Sequence, residues 1–477
     1  MATRMAAARA PSDPRADLVR TFAALSRLGL IDLRGAASIR LGTGEIITTP
    51  RPGGGAPVPA ELSVDDLVAV GHDGCPINGR WAAPLTIHAD LELYRAREDV
   101  RAVVHGQPMT ALAFAAVNQR LEPLTHTESM LVYPELPAHG SGHLVRTSAQ
   151  AQDFAGRLGD RPVGLLPGDG SIAVGGTIAE AGMVTHQVEL LARVNEVVAL
   201  HPARGQRRLR VPEADSDRIS AQKAPPADFQ DYFDQVVDGQ TVPATPDPTD
   251  DSEAGQRARI VAACQLLYHH GLIQSLEHVS VRLPGQDAFL MTPRRHLGRL
   301  LPAEIAVVGM DGTWQSGPLP PPPFLWLHRD IFAARPDVLA IVHTHQLLVR
   351  GMVMAGVPIL PLYRGGAHWA ATEPAIHETP DLMFDPDQRA AAMAILGDAV
   401  VMHEASHGSD FLSTTVEEAT VGALQLERQA RLLQIASRLG DPAALRPEVL
   451  AALAGEEPSD LDWWRYFRSE LPAASTG

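Results

Sequence analysis

The hydrophobic and polar positions of this chain follow two periodicities. Apolar residues recur at helical spacing over 258–271, where Gly271 can cap a helix, and again over 416–439. Two short apolar runs, 340–342 and 398–402, have the composition of buried strands. Because helices and strands are mixed along the chain, the pattern predicts a layered α/β fold.

The pattern occurs twice. Residues 67–74 match residues 305–312, and residues 99–105 match residues 337–343 at the same offset of 238. Nearer the start of each copy the offset is 242, which a small insertion explains. A register that persists over more than 100 residues is not expected by chance, so we predict an internal duplication.

The duplication predicts how the chain divides, since 477 residues are too many for one ordinary core. We expect a first domain over 15–239 and a second domain over 256–471. Residues 240–255 between them are rich in proline and aspartate, which is typical of a polar linker.

Composition and charge exclude several function classes. The formal net charge is -16, whereas nucleic-acid binders need a basic surface, so we expect no nucleic-acid partner. No apolar run approaches the roughly 18 residues of a membrane helix, so we expect no membrane contact. The two cysteines, Cys75 and Cys264, lie far apart and outside ligand-type spacings. Isolated thiols favour a reducing, cytoplasmic location.

The strongest candidate for chemistry is His343-Thr344-His345 at the end of a predicted strand. Residues two apart on a strand face the same way, so both imidazoles can reach one ion. His407 opens a glycine-containing turn after the next apolar strand. Three imidazoles and one open position are typical of a catalytic metal site. We expect a divalent ion, Zn²⁺ first, although Fe, Mn or Co also suits three histidines.

A competing motif overlaps this set. Residues 403–407 spell H-E-x-x-H, the pattern of zinc proteases. That mechanism needs a helix, whereas the apolar run before His403 predicts a strand. On a strand His403 and His407 would lie about 13 Å apart, too far to share an ion. We therefore interpret His403 as a core or supporting histidine.

These residues resemble the class II aldolase/adducin superfamily over nearly all of both copies. The matching segments of the second copy are Glu277-His278-Val279-Ser280-Val281-Arg282, Thr292-Pro293, Asp311-Gly312, His343-Thr344-His345, His407-Gly408 and Glu417-Glu418-Ala419. The resemblance implies two tandem class II aldolase-like layered α/β domains, with His343, His345 and His407 as metal ligands. It also implies cyclic tetramers with sites between subunits. We therefore expect a homo-oligomer in which two tandem chains form a pseudo-tetramer.

Departures from the family pattern bear on the substrate. His278 stands in place of an asparagine, and Pro322 and Pro323 stand in place of two serines. Phe324 occupies the acid/base glutamate position, four residues before His328. Because prolines lack an N–H donor and phenylalanine transfers no proton, a phosphosugar aldolase is disfavoured. We expect an organic acid or aromatic substrate instead.

The loop after Thr292-Pro293 continues with Arg294 and Arg295, whose guanidinium groups suit a carboxylate. We predict that both arginines bind substrate together with Phe324, and that His278 is catalytic.

Further candidates follow the His-x-His segment. Tyr363 and Arg364 lie about 20 residues after His343, where aldolases of the family carry a proton-donating tyrosine. The resemblance therefore implies catalytic roles for both. We predict that His368 and Trp369 also line the pocket.

The first copy has lost the ligand set, because His105, Gln107 and Asp169 stand in the aligned places. Glutamine is a poor ligand for zinc-like ions, so we expect this copy to be a structural partner. Candidates that it could lend to the second site are His126, Glu128 and Tyr133.

Three functions compete at this point. The first is a metal-dependent lyase that cleaves or forms a carbon–carbon bond, by aldol chemistry or decarboxylation, in a small non-phosphorylated carbonyl or carboxylic compound. The second is a non-heme iron oxygenase, because superfamily members in antibiotic pathways of secondary metabolism carry out oxidative decarboxylation. The third is a non-catalytic, adducin-like scaffold, against which the three histidines argue.

Overall fold

The computed structural model describes residues 13–78, 80–122, 136, 145–200, 226–238, 245–273, 277–294, 296–378, 385–404, 407–453 and 457–471. The chain forms two compact units. The first comprises residues 1–242 with 435–458, and the second comprises residues 243–434 with 459–477. Residues 435–458 thus group with the first unit although they lie within the predicted second domain, 256–471. The domain bounds given by the repeat stay predictions.

The first half of the chain is an α/β domain. Its helices are α1 (Pro14–Arg27), α2 (Ile87–Ala96), α3 (Met109–Ala116), α4 (Ser148–Leu158), α5 (Ile178–Leu200) and α6 (Pro226–Val237). Its strands are β1 (Ala36–Arg40), β2 (Ile46–Thr48), β3 (Val68–Val70), β4 (Pro76–Asn78), β5 (Ala102–Gly106), β6 (Val163–Leu166) and β7 (Gly170–Gly175). They form an antiparallel sheet in the order β4-β3-β2-β1-β5-β7-β6.

The second half repeats this arrangement with one additional strand. Its helices are α7 (Glu253–His269), α8 (Leu325–Ala334), α9 (Leu347–Met354), α10 (Ala367–Ala371), α11 (Pro386–Leu396), α12 (Val416–Leu439), α13 (Pro447–Leu453) and α14 (Asp460–Ser469). Its strands are β8 (His278–Arg282), β9 (Ala288–Met291), β10 (Ala306–Gly309), β11 (Trp314–Ser316), β12 (Ala340–Thr344), β13 (Ala375–His377), β14 (Val401–Glu404) and β15 (Gly408–Ser413). Their order is β11-β10-β9-β8-β12-β15-β14-β13, and β13 joins β14 in parallel.

Alternation along the central strands gives the second sheet two buried faces. On one face, Ile341 of β12 and Leu412 of β15 pack in a cluster with residues of α8 and α11, including Phe332. On the other face, Phe411 of β15 contacts Trp369 of α10. The side chains of the metal-site candidates on these strands can therefore point to either of the two faces.

The predicted elements are recovered with shifted ends. The helix expected over 258–271 begins at Glu253, because Ser252 caps it by accepting a hydrogen bond from the Gly255 amide. The strand expected over 398–402 is β14, which begins three residues later. Helix α12 has the predicted bounds. Among the described residues, no helix is long and apolar enough to cross a membrane.

Candidate metal centre

The three candidate ligands lie together at one end of the second sheet. His343 is the fourth residue of β12, where it pairs in register with His278 of β8 and Asp410 of β15. His345 follows the end of the same strand, and His407 precedes β15. One ring nitrogen of each of His343, His345 and His407 lies within 4.8 Å of the others. The structure therefore brings together the three residues that the spacing predicted.

A carboxylate stands behind each imidazole. Nδ1 of His343 lies 3.0 Å from Asp410 Oδ1, Nδ1 of His345 lies 3.0 Å from Glu277 Oε1, and Nδ1 of His407 lies 2.9 Å from Glu404 Oε2. A carboxylate accepts from Nδ1–H, so the lone pair of each ring resides on Nε2. Histidines that bind metals usually donate their second nitrogen in this way.

The donor set fits a divalent ion. Nε2 of His343 and Nε2 of His345 are buried and have no hydrogen-bond partner in the described part of the chain. Buried nitrogens are seldom left unpaired, so two converging examples indicate a ligand that satisfies them. Three converging imidazole nitrogens suit Zn²⁺ and related ions.

Burial sets the protonation of these groups. It lowers the pKa of His343 to about 3, which keeps its imidazole neutral at pH 7. Burial also raises the pKa of Asp410 to about 6. Burial raises the pKa of Glu404 as well, and the negative charge of the neighbouring Asp410 raises it further. Burial opposes charge on His407, but its hydrogen bond to Glu404 raises the pKa.

Aromatic rings line one side of the cluster. His278 stacks on His343 with ring centroids 4.5 Å apart, and Phe324 stacks on His407 at 5.5 Å. Phe324 also contacts His278 at 5.0 Å. The structure thus places predicted residues His278 and Phe324 directly beside the three histidines.

The predicted arginines lie on the neighbouring loop. Thr292 fixes this loop to β8, since its Oγ1 accepts from the Val279 amide and its own amide donates to the Val279 carbonyl. Arg294 is exposed two residues further on. Arg295 lies outside the described residues, as do His126, Glu128 and Tyr133.

The remaining predicted residues lie in helix α10 or in the segment before it. Trp369 packs on Phe411 and therefore on the opposite face of the sheet. His368 is exposed, 3.9 Å from Asp460. Tyr363 and Arg364 are buried in the segment before α10. The backbone carbonyl of Tyr363 accepts from Gln429 of α12.

His403 also faces away from the cluster. His403 and Glu404 are adjacent in β14, so their side chains point to opposite faces of the sheet. Nδ1 of His403 lies 2.8 Å from Ser409 Oγ. There it lines a cavity of about 440 Å³ on the face that carries Trp369. The strand conformation of β14 excludes the helix that an H-E-x-x-H protease requires.

The sequence did not single out the three supporting carboxylates, Glu277, Glu404 and Asp410. Strand periodicity contains a partial signal, because Asp410 lies at an inward position of the strand that follows His407. The register that pairs Asp410 with His343 comes only with the folded sheet.

The corresponding residues of the first domain are arranged differently. Nε2 of His105 lies 2.5 Å from Asp90 Oδ1, so the nitrogen that would face an ion is occupied. Gln107 accepts from the Asp32 amide through its Oε1. In the portions of the chain that the structure describes, the groups of three or more potential ligands all belong to the second domain.

Comparison with known proteins assigns the fold to a family. Residues 16–195 and 258–434 each match the family described as Class II Aldolase and Adducin N-terminal domain. The chain belongs to this family. The predicted tandem class II aldolase-like fold is therefore confirmed.

Several curated proteins resemble part of the chain. The 3,4-dihydroxyphthalate decarboxylase of Arthrobacter keyseri is 28% identical over 240 residues, which is 47% of this chain and 96% of that protein. Its namesake from Terrabacter sp. (strain DBF63) is 30% identical over 42% of this chain and 89% of its own length. The 5-methylthioribulose-1-phosphate/5-deoxyribulose-1-phosphate aldolase of Rhodospirillum rubrum is 27% identical over 39% of this chain and 87% of its own length.

Solved structures of class II aldolases are also similar. The L-fuculose 1-phosphate aldolase from Glaciozyma antarctica PI12 is 19% identical, covers 48% of this chain and 90% of its own, and gives a TM-score of 0.40.

The relatives bear on the competing functions. Decarboxylases and aldolases are both lyases, so the prediction of a metal-dependent lyase is confirmed at that level. The oxygenase and scaffold alternatives are not favoured. Members of this family act on small molecules with a divalent metal, and they commonly form oligomers.

Proposed function

We propose that the second domain is a metal-dependent decarboxylase of a small, non-phosphorylated aromatic carboxylate with adjacent hydroxyl groups. The observation that carries the proposal is the convergence of three imidazoles beside Phe324, with unpartnered Nε2 atoms on His343 and His345. Relatives named 3,4-dihydroxyphthalate decarboxylase suggest the substrate class.

His343, His345 and His407 would hold the ion. We propose Zn²⁺, because three imidazoles with one open position are a usual catalytic set for it. Once bound, the ion supplies a Lewis acid for a substrate oxygen. The carboxylates of Asp410 and Glu404, with that of Glu277, keep the Nε2 lone pairs directed into the site.

The chemistry suits a site with Phe324 in the acid/base position. Decarboxylation breaks one carbon–carbon bond, releases CO₂, and leaves an electron pair on the ring carbon, which then takes up one proton. It requires an electron-accepting oxygen and a proton source, whereas aldol cleavage must also remove a hydroxyl proton. Phe324 offers an apolar face to an aromatic ring and excludes water beside His278 and His407.

Substrate recognition would draw on the rim of the site. The exposed guanidinium of Arg294 suits the second carboxylate of an aromatic diacid. Pro322 and Pro323 offer no N–H donor to a phosphate. Roles in the pocket for Tyr363, Arg364, His368 and Trp369 stay proposals that rest on the family resemblance, because Trp369 packs on the opposite face of its own sheet.

We propose an assembly of two chains. Helix α3 of the first domain buries Thr110 through Ala115, whereas the equivalent α9 buries only Val349 among its residues. Leu347 and Met354 of α9 are 70% and 62% exposed. An apolar helix exposed to this extent favours burial against a second chain. Light scattering on the purified protein tests this proposal. We expect a mass twice that of one chain.

The proposed compartment is the cytoplasm. Cys75 is exposed and Cys264 is buried, and both are free thiols. Free thiols are typical of reducing compartments.

The activity has a direct test. Zinc-loaded protein is incubated with 3,4-dihydroxyphthalate, and CO₂ release is measured beside the His343→Ala variant. We expect release by the wild type and a loss of at least about 100-fold in the variant. L-fuculose 1-phosphate is the contrasting substrate. Its cleavage in place of CO₂ release would show a phosphosugar aldolase and contradict the proposal.

A further inference from the structure

Three polar side chains beside the metal histidines form a hydrogen-bonded chain. Ser280 Oγ lies 2.6 Å from Nδ1 of His328, and Nε2 of His328 lies 2.9 Å from Nδ1 of His278. All three residues are buried, with exposed fractions of 0 to 1%. This series of hydrogen bonds ends at His278, whose ring stacks on that of His343.

The hydroxyl of Ser280 sets the direction of this chain. A buried hydroxyl hydrogen needs an acceptor, and within the described residues the side chain of Ser280 bonds to His328. Ser280 therefore donates to Nδ1 of His328. A neutral imidazole that accepts at one nitrogen carries its proton on the other, so His328 donates from Nε2 to Nδ1 of His278.

The same rule applies to the last ring. Because His278 accepts at Nδ1, its proton resides on Nε2. That nitrogen is buried and has no hydrogen-bond partner among the described residues. It is therefore a donor held ready for a group that enters the site. A nitrogen that carries a proton cannot also be a fourth metal ligand.

We propose that Ser280 and His328 are positioning residues, which hold His278 in the Nε2–H form so that it donates a hydrogen bond to a substrate oxygen. This inference rests on the decarboxylase proposed above. The ligand chemistry is an oxygen without a hydrogen of its own, such as that of a carboxylate, phenolate or enolate. Such an oxygen gathers charge when the carboxylate leaves, so the donor would strengthen as the reaction proceeds.

The first domain offers a natural contrast. Ser38, equivalent to Ser280, donates to Asp90, which stands in place of His328. Asp90 bonds directly to His105, and Ala36 stands in place of His278. A carboxylate at this position ends the chain, since it has no proton to pass on. The directed donor therefore belongs to the domain that has the three-histidine cluster.

The test compares Ser280→Ala with Ser280→Thr, which restores a hydroxyl, and with Ser38→Ala as the matched control. Each full-length, zinc-loaded protein is titrated with 3,4-dihydroxybenzoate, and zinc affinity is measured separately. Imidazole ¹⁵N shifts report which nitrogen carries the proton, and His278→Gln identifies the resonances of His278. We expect Ser280→Ala to weaken probe binding about tenfold, with zinc affinity unchanged within about twofold. Ser280→Thr and Ser38→Ala should behave as wild type.

Three results would overturn the inference. They are an unprotonated Nε2 on His278 in the wild type, unchanged probe binding in a folded Ser280→Ala variant, and a loss of zinc binding in His278→Gln. The ¹⁵N measurement on wild-type protein needs no Ser280 variant, so it decides the matter even if Ser280→Ala does not fold. It can also be made without metal. Failure to release CO₂ from 3,4-dihydroxyphthalate would instead contradict the decarboxylase and leave the tautomer result to stand separately.

Discussion

Asp410 accepts a hydrogen bond from Nδ1 of His343 at 3.0 Å, and both side chains are fully buried. The two residues face each other across paired strands, so backbone register fixes their contact. This arrangement gives the imidazole one orientation and one tautomer before any ion binds. The folded sheet therefore orders the metal-binding imidazole of His343, so ion binding does not have to do so.

Replacing Asp410 with asparagine tests that relationship. Asp410→Asn keeps the shape and an acceptor but removes the charge that holds the Nδ1 proton. We expect metal affinity to fall by about 10- to 100-fold, measured by competition with a chelator. Asp398→Asn, an exposed residue outside the site, is the control. Equal affinity in Asp410→Asn and wild type would show that the carboxylate does not support the ligand.

His403 gives a prediction about pH. Burial lowers its pKa in the folded protein to about 4, below the usual value near 6.5 of an unfolded chain. The unfolded state then binds the extra proton, so stability is complete above pH 6.5 and is lost as the pH falls towards 4. His403→Asn keeps a donor for Ser409 but does not titrate. Relative to this variant, wild type should lose about 1.4 kcal/mol per pH unit in that window.

The measurement is denaturant unfolding of metal-free protein at several pH values. Parallel curves for His403→Asn and wild type would contradict the assignment. Metal content of the variant is a second readout. We expect it to be unchanged, whereas its loss would make His403 a ligand.

A buried ion pair supports the second domain. Nε of Arg259 lies 2.7 Å from Glu417 Oε1, and both side chains are 3% exposed. Arg259→Ala leaves the carboxylate of Glu417 buried and unpaired, so we expect the unfolding free energy to fall by roughly 3–5 kcal/mol. The exposed pair of Arg157 and Asp153 is the control, and Arg157→Ala should cost about 0.5 kcal/mol or less. A cost for Arg259→Ala as small as this would contradict the account.

Much of the fold could be predicted from the sequence because the duplication repeats it. The offset between copies identified the tandem domains, and strand periodicity placed His343 and His345 on one face. The bounds of α12 were predicted residue for residue because its apolar stripe is long. The ends of shorter elements differ from the prediction where a capping residue fixes the start of the helix, as Ser252 does for α7.

The supporting shell could not be predicted, for a physical reason. Glu277, Glu404 and Asp410 belong to separate strands or their ends, and only strand pairing brings them behind the imidazoles. Periodicity also does not show against which face of the sheet a short helix such as α10 packs. Trp369 was therefore expected near the histidines, whereas it packs on Phe411 across the sheet.

The central prediction is that each chain binds one metal ion, in the second domain. The most direct test is elemental mass spectrometry on wild type, His343→Ala and the first-domain equivalent His105→Ala, each purified without added metal and then reconstituted with Zn²⁺. We predict about one equivalent per chain in wild type and His105→Ala, and none above background in His343→Ala. Metal retained by His343→Ala, or lost from His105→Ala, would contradict the account.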